Sequence, residues 1–260
     1  MVERMFFMNR LKGKVSIVTG ANSGIGKRTA EIFADEGSDL VLVARRLDKL
    51  KEVEAECAAK GVKVISVSAD VSIYEDCQKV VKAAVDTFGK IDVLVNNAGI
   101  ADKHRPITRC DIDWWDHVIK VDQYSVYYMM KEVLPYMEKA HSGSIINISS
   151  IGGTGYNAGI SYSAAKTAVI SMSKNVGIQF AGTGIRCNVV APGPTPTELN
   201  TPEAVATFDT EFAAQCAQHF DDTVPEVTTD DQAYAILFFA SDESKGCNGQ
   251  VIIVDNGRTI

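Results

Sequence analysis

Two residues four positions apart, Tyr162 and Lys166, bring a phenol and an ammonium into one short stretch. Residues at this spacing share one face of a helix, and the apolar pattern predicts a helix over 162–180. A phenol has an ordinary pKa of about 10, and a neighbouring cation lowers it by favouring the phenolate. The pair could therefore exchange a proton with a carbinol or carbonyl oxygen, although two ordinary helix-surface residues would look the same.

Two hydroxyls, Ser149 and Ser150, end a strand-like apolar run, and the second lies twelve residues before the tyrosine. A serine at that place could hydrogen-bond the oxygen of a substrate. It could also satisfy the backbone of the loop that follows, as most serines at strand ends do. We take Ser150 as the candidate catalytic residue and keep Ser149 as the alternative.

A glycine-rich turn separates the first apolar run of the chain from a helical pattern. Glycines allow a tight turn and a close approach of the backbone to a pyrophosphate, and the helix N-terminus adds free N–H groups and a positive dipole. The order of strand, turn and helix favours a dinucleotide site over a purely structural turn. The turn residues assigned to the cofactor are Gly20, Asn22, Ser23, Gly24, Ile25 and Gly26.

The second strand ends at Ala44 and is followed by Arg45 and Arg46. An NAD-binding chain usually places an acid here, about 20 residues past the glycines, to hold a ribose hydroxyl. Guanidinium groups instead suit a 2′-phosphate by charge and by their forked geometry. The sequence therefore predicts NADP(H) in preference to NAD(H), unless the two arginines are merely solvated loop charges.

Short apolar, β-branched runs alternate with helical patterns along the chain, which predicts βαβ units. The runs are continuous, as expected for strands buried on both faces of a sheet. We predict an α/β fold of the Rossmann type, a doubly wound, mostly parallel seven-stranded sheet with helices on both faces. The predicted strands are 15–19, 40–44, 62–67, 91–96, 144–149, 185–190 and 250–254, and the clearest helices are 25–36, 49–60, 74–88, 114–137 and 162–180.

Residues 192–225 break this alternation, because they contain five of the seven prolines of the chain. We predict a loop with one or two short helices there, forming a substrate lid over about 193–226. A surface loop packed on its own aromatic residues is the alternative. The predicted domain organisation is an N-terminal extension over 1–10 and a single Rossmann domain over 11–260 that contains the cofactor and substrate sites.

Composition sets broad limits on the function. The chain of 260 residues is 46% hydrophobic and 23% charged with a formal net charge of −7, which suits a globular protein that does not bind nucleic acid. Six cysteines without a C-x-x-C pair predict reduced thiols, a cytoplasmic location and no metal site. No apolar stretch reaches the roughly 18 residues of a membrane span, and the one at the N-terminus is too short for a signal peptide.

Taken together and in this order, these motifs resemble those of the short-chain dehydrogenase/reductase family over residues 11–257. The glycine turn reads T-G-x-x-x-G-x-G, and N-N-A-G stands at the end of the fourth predicted strand. The resemblance implies catalytic roles for Ser150, Tyr162 and Lys166, and further contacts with the cofactor. The implied contacts are Asp70, Val71, Asn97, Ala98, Gly99, Tyr162, Lys166, Pro192, Gly193, Thr195 and Thr197.

The resemblance also implies a mechanism and an assembly. Tyr162 would exchange a proton with the substrate oxygen, and Lys166 would lower the pKa of the tyrosine and hold the nicotinamide ribose. Ser150 would position and polarise the carbonyl, and NADPH would deliver hydride to the carbonyl carbon. The family further implies a homotetramer or homodimer, with the helices over 114–137 and 162–180 at its interfaces.

Two features depart from the family pattern. Where members usually carry an asparagine that supports a water linked to the lysine, this sequence has Asp122, which we include among the catalytic residues. A carboxylate near Lys166 would partly neutralise it and so predicts a more alkaline optimum for alcohol oxidation, unless Asp122 simply takes over the water contact. The spacing of twelve from Ser150 to Tyr162 is one shorter than in many members, which keeps Ser149 open.

Residues at the expected pocket loops favour a hydrophobic secondary alcohol or ketone, such as a hydroxysteroid or bile acid. A 3-oxoacyl thioester and a sugar or polyol are the alternatives, and the basic run at 103–105 could attract a substrate carboxylate or be solvated surface. A non-catalytic NADP-binding sensor and an epimerase or dehydratase are the hypotheses from other classes. The expected pocket residues are Ile100, Ile151, Tyr156, Leu199, Phe208 and Phe212.

Overall fold

The structure is a computed structural model that describes residues 9–260. Within that range seven strands form a sheet in the order β3-β2-β1-β4-β5-β6-β7, and every neighbouring pair is parallel. The predicted Rossmann-type fold is confirmed, and all strands of the sheet within residues 9–260 are parallel. The strands are β1 (Val15–Thr19), β2 (Asp39–Ala44), β3 (Val64–Ser68), β4 (Val93–Asn96), β5 (Gly143–Ile148), β6 (Ile185–Pro192) and β7 (Val251–Val254).

Burial explains why these apolar runs form strands. All residues of β1 and β5 are buried, so both faces of the central sheet are covered, whereas β3 at the edge is only partly buried. The predicted strand ends were wrong by one or two residues in several places. In β3, for example, pairing with β2 begins at Val64, which lies opposite Leu40, and not at the start of the apolar run at residue 62.

Helices cover both faces of the sheet and bury one hydrophobic core on each side. The first layer holds α1, α2 and α10, and the second holds α3, α5 and α7. The prediction of helices on both faces of the sheet is confirmed. The α-helices are α1 (Gly24–Asp35), α2 (Leu47–Ala58), α3 (Tyr74–Phe88), α4 (Ile112–Ile119), α5 (Ser125–Ala140), α6 (Ile151–Thr154), α7 (Ile160–Gln179), α8 (Pro202–Val205), α9 (Thr210–Ala217) and α10 (Thr229–Ala240).

The helix predicted over 114–137 is present, but it is not a regular α-helix throughout. A π-helical turn, Lys120–Tyr124, separates α4 from α5 and widens the helix by one residue at that point. Asp122 lies in this turn with none of its surface exposed, and its Oδ1 accepts a hydrogen bond from the N–H of Ile100 at 2.8 Å. Apolar periodicity does not reveal such a turn, because the flanking residues keep their helical spacing.

The segment over 193–226 contains short helices, as predicted. A 3₁₀ turn, Glu198–Asn200, precedes α8 and α9, and each of these helices begins at a side-chain cap. Thr201 accepts a hydrogen bond from the N–H of Ala204 at 3.3 Å, and Asp209 accepts one from Phe212 at 3.0 Å. Of the predicted N-terminal extension, residues 1–8 lie outside the described residues.

The strand order reverses between β1 and β4, so the chain leaves these neighbours in opposite directions and opens a crevice at their carboxyl ends. The turn from β1 into α1 crosses the end of β4 there. Gly26 makes the close crossing possible, because an added Cβ would overlap the carbonyl oxygen of Gly20 and the side-chain amide of Asn97. Gly20 itself has a φ of +66°, a conformation that favours glycine.

We expect Gly26→Ala to destabilise the fold by about 1–3 kcal/mol, as overpacking of a closed space does. Urea unfolding measures the loss. Gly246→Ala is the matched control, since a Cβ there meets nothing within 4 Å. Equal stability of the two variants would show that the turn can relax around the extra methyl group.

Candidate active site

Two adjoining cavities open at the carboxyl edge of the sheet, with volumes of about 430 and about 440 Å³. The first, the nucleotide cleft, is lined by the glycine turn and by the ends of β2 and β4. The second, the reaction cavity, is lined by Ser150, Tyr162 and Lys166. Asn97 and Thr197 border both cavities, so a ligand in the cleft could reach the reaction cavity.

The nucleotide cleft has the features that a pyrophosphate needs. Helix α1 begins at Gly24, and the side chain of Ser23 makes no capping hydrogen bond, so the first N–H groups of the helix remain for a ligand. Gly24 has a φ of +54°, and an added Cβ there would approach Thr197 within 3.1 Å. The predicted turn residues Gly20, Asn22, Ser23, Gly24 and Ile25 line the cleft, while Gly26 shapes it from behind.

The rim of the cleft carries the two predicted arginines. Arg46 binds Glu198, with Nη2 2.5 Å from Oε2, and Lys49 binds the same carboxylate at 2.9 Å. These two cations lower the pKa of Glu198 to about 2. Arg45 also lines the cleft, is exposed, and makes no ion pair within residues 9–260. The rim is therefore cationic, and part of its charge is already neutralised.

The remaining predicted cofactor contacts lie on the walls of the two cavities. The carboxylate of Asp70 is fixed by hydrogen bonds from the hydroxyl and the N–H of Ser72, at 2.7 and 3.0 Å. The hydroxyl of Thr19 accepts hydrogen bonds from the N–H groups of Asn97 and Ala98, both at 3.0 Å, which holds the N-N-A-G segment in place. The other predicted residues on these walls are Val71, Gly99, Pro192, Gly193, Thr195 and Thr197.

The reaction cavity brings the predicted catalytic residues together. Tyr162 and Lys166 project from the first turns of α7, and the lysine Nζ lies 5.3 Å from the centre of the tyrosine ring. Ser150 caps α6 by accepting the N–H of Gly152 at 3.0 Å. The hydroxyl of Ser149 instead donates to the backbone carbonyl of Lys166 at 2.8 Å. This geometry favours Ser150 over Ser149 for contact with a substrate.

Lys166 is deeply buried beside Asp122. Its Nζ lies 3.6 Å from Oδ2 of Asp122 and donates to the backbone carbonyl of Ile148 at 3.2 Å. Burial acts to lower the pKa of Lys166, but Asp122 and Tyr162 together outweigh burial and the pKa is raised. Burial also raises the pKa of Asp122, and Lys166 opposes that rise.

The same charges act on the phenol of Tyr162. Burial raises its pKa, Lys166 opposes the rise, and Asp122 adds to it. The hydroxyl of Ser150, which also lines the reaction cavity, favours the phenolate and opposes the rise. The net direction of the pKa of Tyr162 is upward, so the lowering that the family resemblance implies is outweighed by burial and by Asp122.

Four of the six expected pocket residues line at least one of the two cavities, and Tyr156 and Phe212 do not. Ile151, Leu199 and Phe208 line the reaction cavity, and Ile100 lines the nucleotide cleft. Tyr156 was misplaced: the residue is 68% exposed and lines neither cavity. Phe212, which lies in α9, lines neither of the two cavities.

Three residues of the site were not found from the sequence. Asp102, in the loop after β4, is buried against the start of α7. Glu198 binds Arg46 at the rim of the nucleotide cleft. Asn157 is 5% exposed in the wall of the reaction cavity. For Asp102 the available signal was an acid three residues after N-N-A-G, next to the basic run at 103–105. Of that run only His104 lines the cavity, while Lys103 and Arg105 stack on Trp114.

Residues 9–260 contain no group of three or more His, Cys, Asp or Glu side chains placed to hold a metal ion. None of their helices is long and apolar enough to cross a membrane. All six cysteines of the chain lie in this range as free thiols.

Comparisons with known proteins agree with this geometry. A family model described as enoyl-(acyl carrier protein) reductase matches residues 20–259. The 3beta-hydroxysteroid dehydrogenase 2 of Eggerthella lenta is 34% identical over 95% of each chain. The 3-oxoacyl-(acyl-carrier-protein) reductase of Thermotoga maritima is 39% identical over 96% of this chain and 100% of its own. The crystal structure of levodione reductase matches with a TM-score of 0.85 at 28% identity, over 95% of this chain and 98% of that one.

The fold, the two cavities and these relatives define an oxidoreductase that acts on alcohol or ketone groups with a nicotinamide nucleotide. The chain belongs to the short-chain dehydrogenase/reductase family.

We expect Asp122→Asn to shift the pH profile of alcohol oxidation to lower pH. Oxidation needs the phenolate of Tyr162, so its rate rises as the pH passes through the tyrosine pKa, and the Asp122 charge raises that pKa. Initial rates across the alkaline range measure the shift. Asp113→Asn, which removes an exposed charge from α4, is the control. An unchanged profile in Asp122→Asn would mean that the carboxylate does not tune the tyrosine.

Proposed function

We propose that the protein is an NADP(H)-dependent enzyme that interconverts a hydrophobic secondary alcohol, of the hydroxysteroid or bile-acid type, and its ketone. One observation carries the proposal: Ser150, Tyr162 and Lys166 line a cavity of about 440 Å³ that adjoins the nucleotide cleft. The domain proposed for this activity is a single Rossmann domain over 11–260, with a lid over about 193–226.

Each residue of the site has a definable part in this reaction. Tyr162 transfers its phenolic proton to the carbonyl oxygen during reduction and takes it back during oxidation. Ser150 hydrogen-bonds the same oxygen and holds the carbonyl within reach of the phenol. Lys166 keeps a positive charge beside the phenolate, and Asp122 keeps that lysine protonated. When bound, the nicotinamide supplies or accepts the hydride.

The proposed preference for NADP(H) rests on the rim of the nucleotide cleft. Ala44 ends β2 without an acid that could hold a ribose 2′-hydroxyl, and Arg45 lies next to it on the cleft wall. A guanidinium without a carboxylate partner is suited to a 2′-phosphate. Arg46 contributes its positive charge as well, although it shares it with Glu198.

We expect Arg45→Ala to weaken binding of NADPH about tenfold or more, since a hydrogen bond to a charged group contributes about 1.5–3 kcal/mol, and to leave NADH nearly unchanged. Titration of nucleotide fluorescence without substrate gives both dissociation constants. Lys51→Ala, which removes an exposed cation from α2, is the control. Equal weakening of both nucleotides would contradict the assignment.

The proposed substrate class rests on the walls of the reaction cavity. Ile151, Leu199, Val205, Phe208 and Phe220 give it an apolar lining. Such a lining suits the rings of a bulky alicyclic ketone. The relative from Eggerthella lenta bears a hydroxysteroid name, in agreement with this class. A 3-oxoacyl thioester is the second candidate, because the relative from Thermotoga maritima is a reductase of that substrate.

The proposed lid is tied to the loop that follows β4. The ring of Phe208 stacks on His104 at 4.7 Å between centroids, and the N–H of Asp209 donates to the carbonyl of Lys103 at 2.8 Å. Arg109 binds the carboxylate of Asp209 through two nitrogen atoms, at 2.5 and 2.9 Å. These contacts support a segment that closes the reaction cavity over a substrate.

We further propose that the protein assembles as a homotetramer or homodimer. Tyr127 on α5 and Ile178 on α7 expose large apolar side chains, 48% and 77% of their surface respectively. Exposed apolar groups on these two helices are suited to an interface between subunits.

We expect NADPH oxidation with a panel of ketones to be fastest with oxo-steroids, oxo-bile acids or bulky cyclic ketones. Tyr162→Phe should lower kcat by a factor on the order of 10² to 10⁴, far more than it weakens nucleotide binding, because it removes the proton donor. Faster turnover of a 3-oxoacyl thioester would favour the second candidate. NADPH binding without turnover of any ketone would instead indicate a sensor.

A further inference from the structure

A buried carboxylate, Asp102, joins the loop after β4 to the first turn of α7. It is 2% exposed, and it lies in the wall of the reaction cavity. Its Oδ2 accepts hydrogen bonds from the backbone N–H of Tyr162 at 3.0 Å and from the hydroxyl of Ser161 at 3.4 Å. Its Oδ1 accepts the N–H of His104 at 3.0 Å. The carboxylate therefore holds the backbone of the proposed catalytic tyrosine directly.

The start of α7 is built to receive this carboxylate. Gly159 occupies the cap position and has no side chain to satisfy the first N–H groups, and the first turn contains no acidic residue. An added Cβ on Gly159 would overlap the carboxylate of Asp102. Asp102 thus caps the helix from a distant part of the chain, with its negative charge at the positive end of the helix dipole.

The loop that carries Asp102 is itself held in an unusual conformation. Lys103 and His104 adopt φ values of +62° and +48°, which are unfavourable for residues with side chains. The carbonyl of Arg105 accepts the N–H of Ile160 at 2.9 Å, and the carbonyl of Asp102 accepts the indole N–H of Trp114 at 3.1 Å. Backbone strain of this kind persists only where the surroundings impose it, often at functional sites.

We propose that Asp102 is a positioning residue that fixes the phenol of Tyr162 against Ser150 by binding the tyrosine's own backbone N–H. Each of its oxygens accepts a backbone N–H, from Tyr162 and from His104, so its part is to hold the loop and the start of α7 together. This inference rests on the proposed function, in which Tyr162 transfers the proton. A small displacement of a proton donor costs far more in rate than in binding.

Asp102→Asn tests the proposal with little change of shape. Asparagine carries no charge and has one acceptor oxygen instead of two, so the contact with the N–H groups of Tyr162 and His104 is weakened. We expect kcat to fall by about tenfold to a hundredfold, with NADPH affinity unchanged and KM altered by less than about threefold. A wild-type kcat would overturn the proposal. So would a fall in kcat matched by an equal loss of NADPH affinity, which would indicate general damage.

Gly159→Ala tests the same contact from the helix side, because its methyl group would displace the carboxylate. We expect the same split, a lower kcat with unchanged NADPH affinity, whereas Gly246→Ala should behave as the wild type. If Asp102→Asn does not fold, Gly159→Ala decides by the same criteria. Normal kcat in Gly159→Ala would overturn the proposal.

Hydrogen exchange separates failure of this inference from failure of the proposed function, because it needs no substrate. We expect the amide of Tyr162 to exchange at least tenfold faster in Asp102→Asn and in Gly159→Ala, while amides in the middle of α7 keep their protection. Unchanged protection of the Tyr162 amide would overturn the inference, whatever ketone the enzyme reduces. Lost protection in an enzyme that reduces no ketone would uphold the contact and refute only the proposed function.

Discussion

The ammonium of Lys166 is held almost entirely out of water, with 3% of the residue exposed, and the surrounding site compensates for that burial. A lone charge in such a place is strongly unfavourable, so it needs a counter-charge and hydrogen-bond partners. Asp122 supplies the charge at 3.6 Å and the carbonyl of Ile148 supplies an acceptor at 3.2 Å. Because the lysine stays protonated, the phenol of Tyr162 keeps a cation beside it that opposes the effect of burial on its pKa.

The doubly wound sheet delivers these groups from separate parts of the chain. Ile148 ends β5, Asp122 lies in the π-helical turn at 120–124, and Tyr162 and Lys166 lie in the first turns of α7. The N–H of Ile100, just after β4, fixes the other oxygen of Asp122. A parallel sheet with its strand ends on one edge therefore lets elements distant in sequence converge on one ammonium.

How much of this the sequence could predict depends on how local each signal is. The strands, the glycine turn and the Tyr162–Lys166 pair were predictable, because hydrophobic period and residue spacing act within a few residues. The π-helical turn was not, since flanking residues around Asp122 keep an unbroken helical pattern. The capping of α7 by Asp102 was hidden for a different reason: the carboxylate and Gly159 are 57 positions apart and meet only in the folded chain.

Glu198 at the rim of the nucleotide cleft binds cations that the proposed 2′-phosphate would need, and its lowered pKa does not mean that this binding is strong. Its carboxylate binds Arg46 and Lys49, yet Arg46 and Glu198 are each 46% exposed, and an exposed pair of this kind contributes only about 0–1 kcal/mol. A phosphate dianion could displace such a carboxylate at little cost. With Arg45 unpaired beside it, the rim keeps an excess of positive charge, so the Arg46–Glu198 contact is compatible with a 2′-phosphate site.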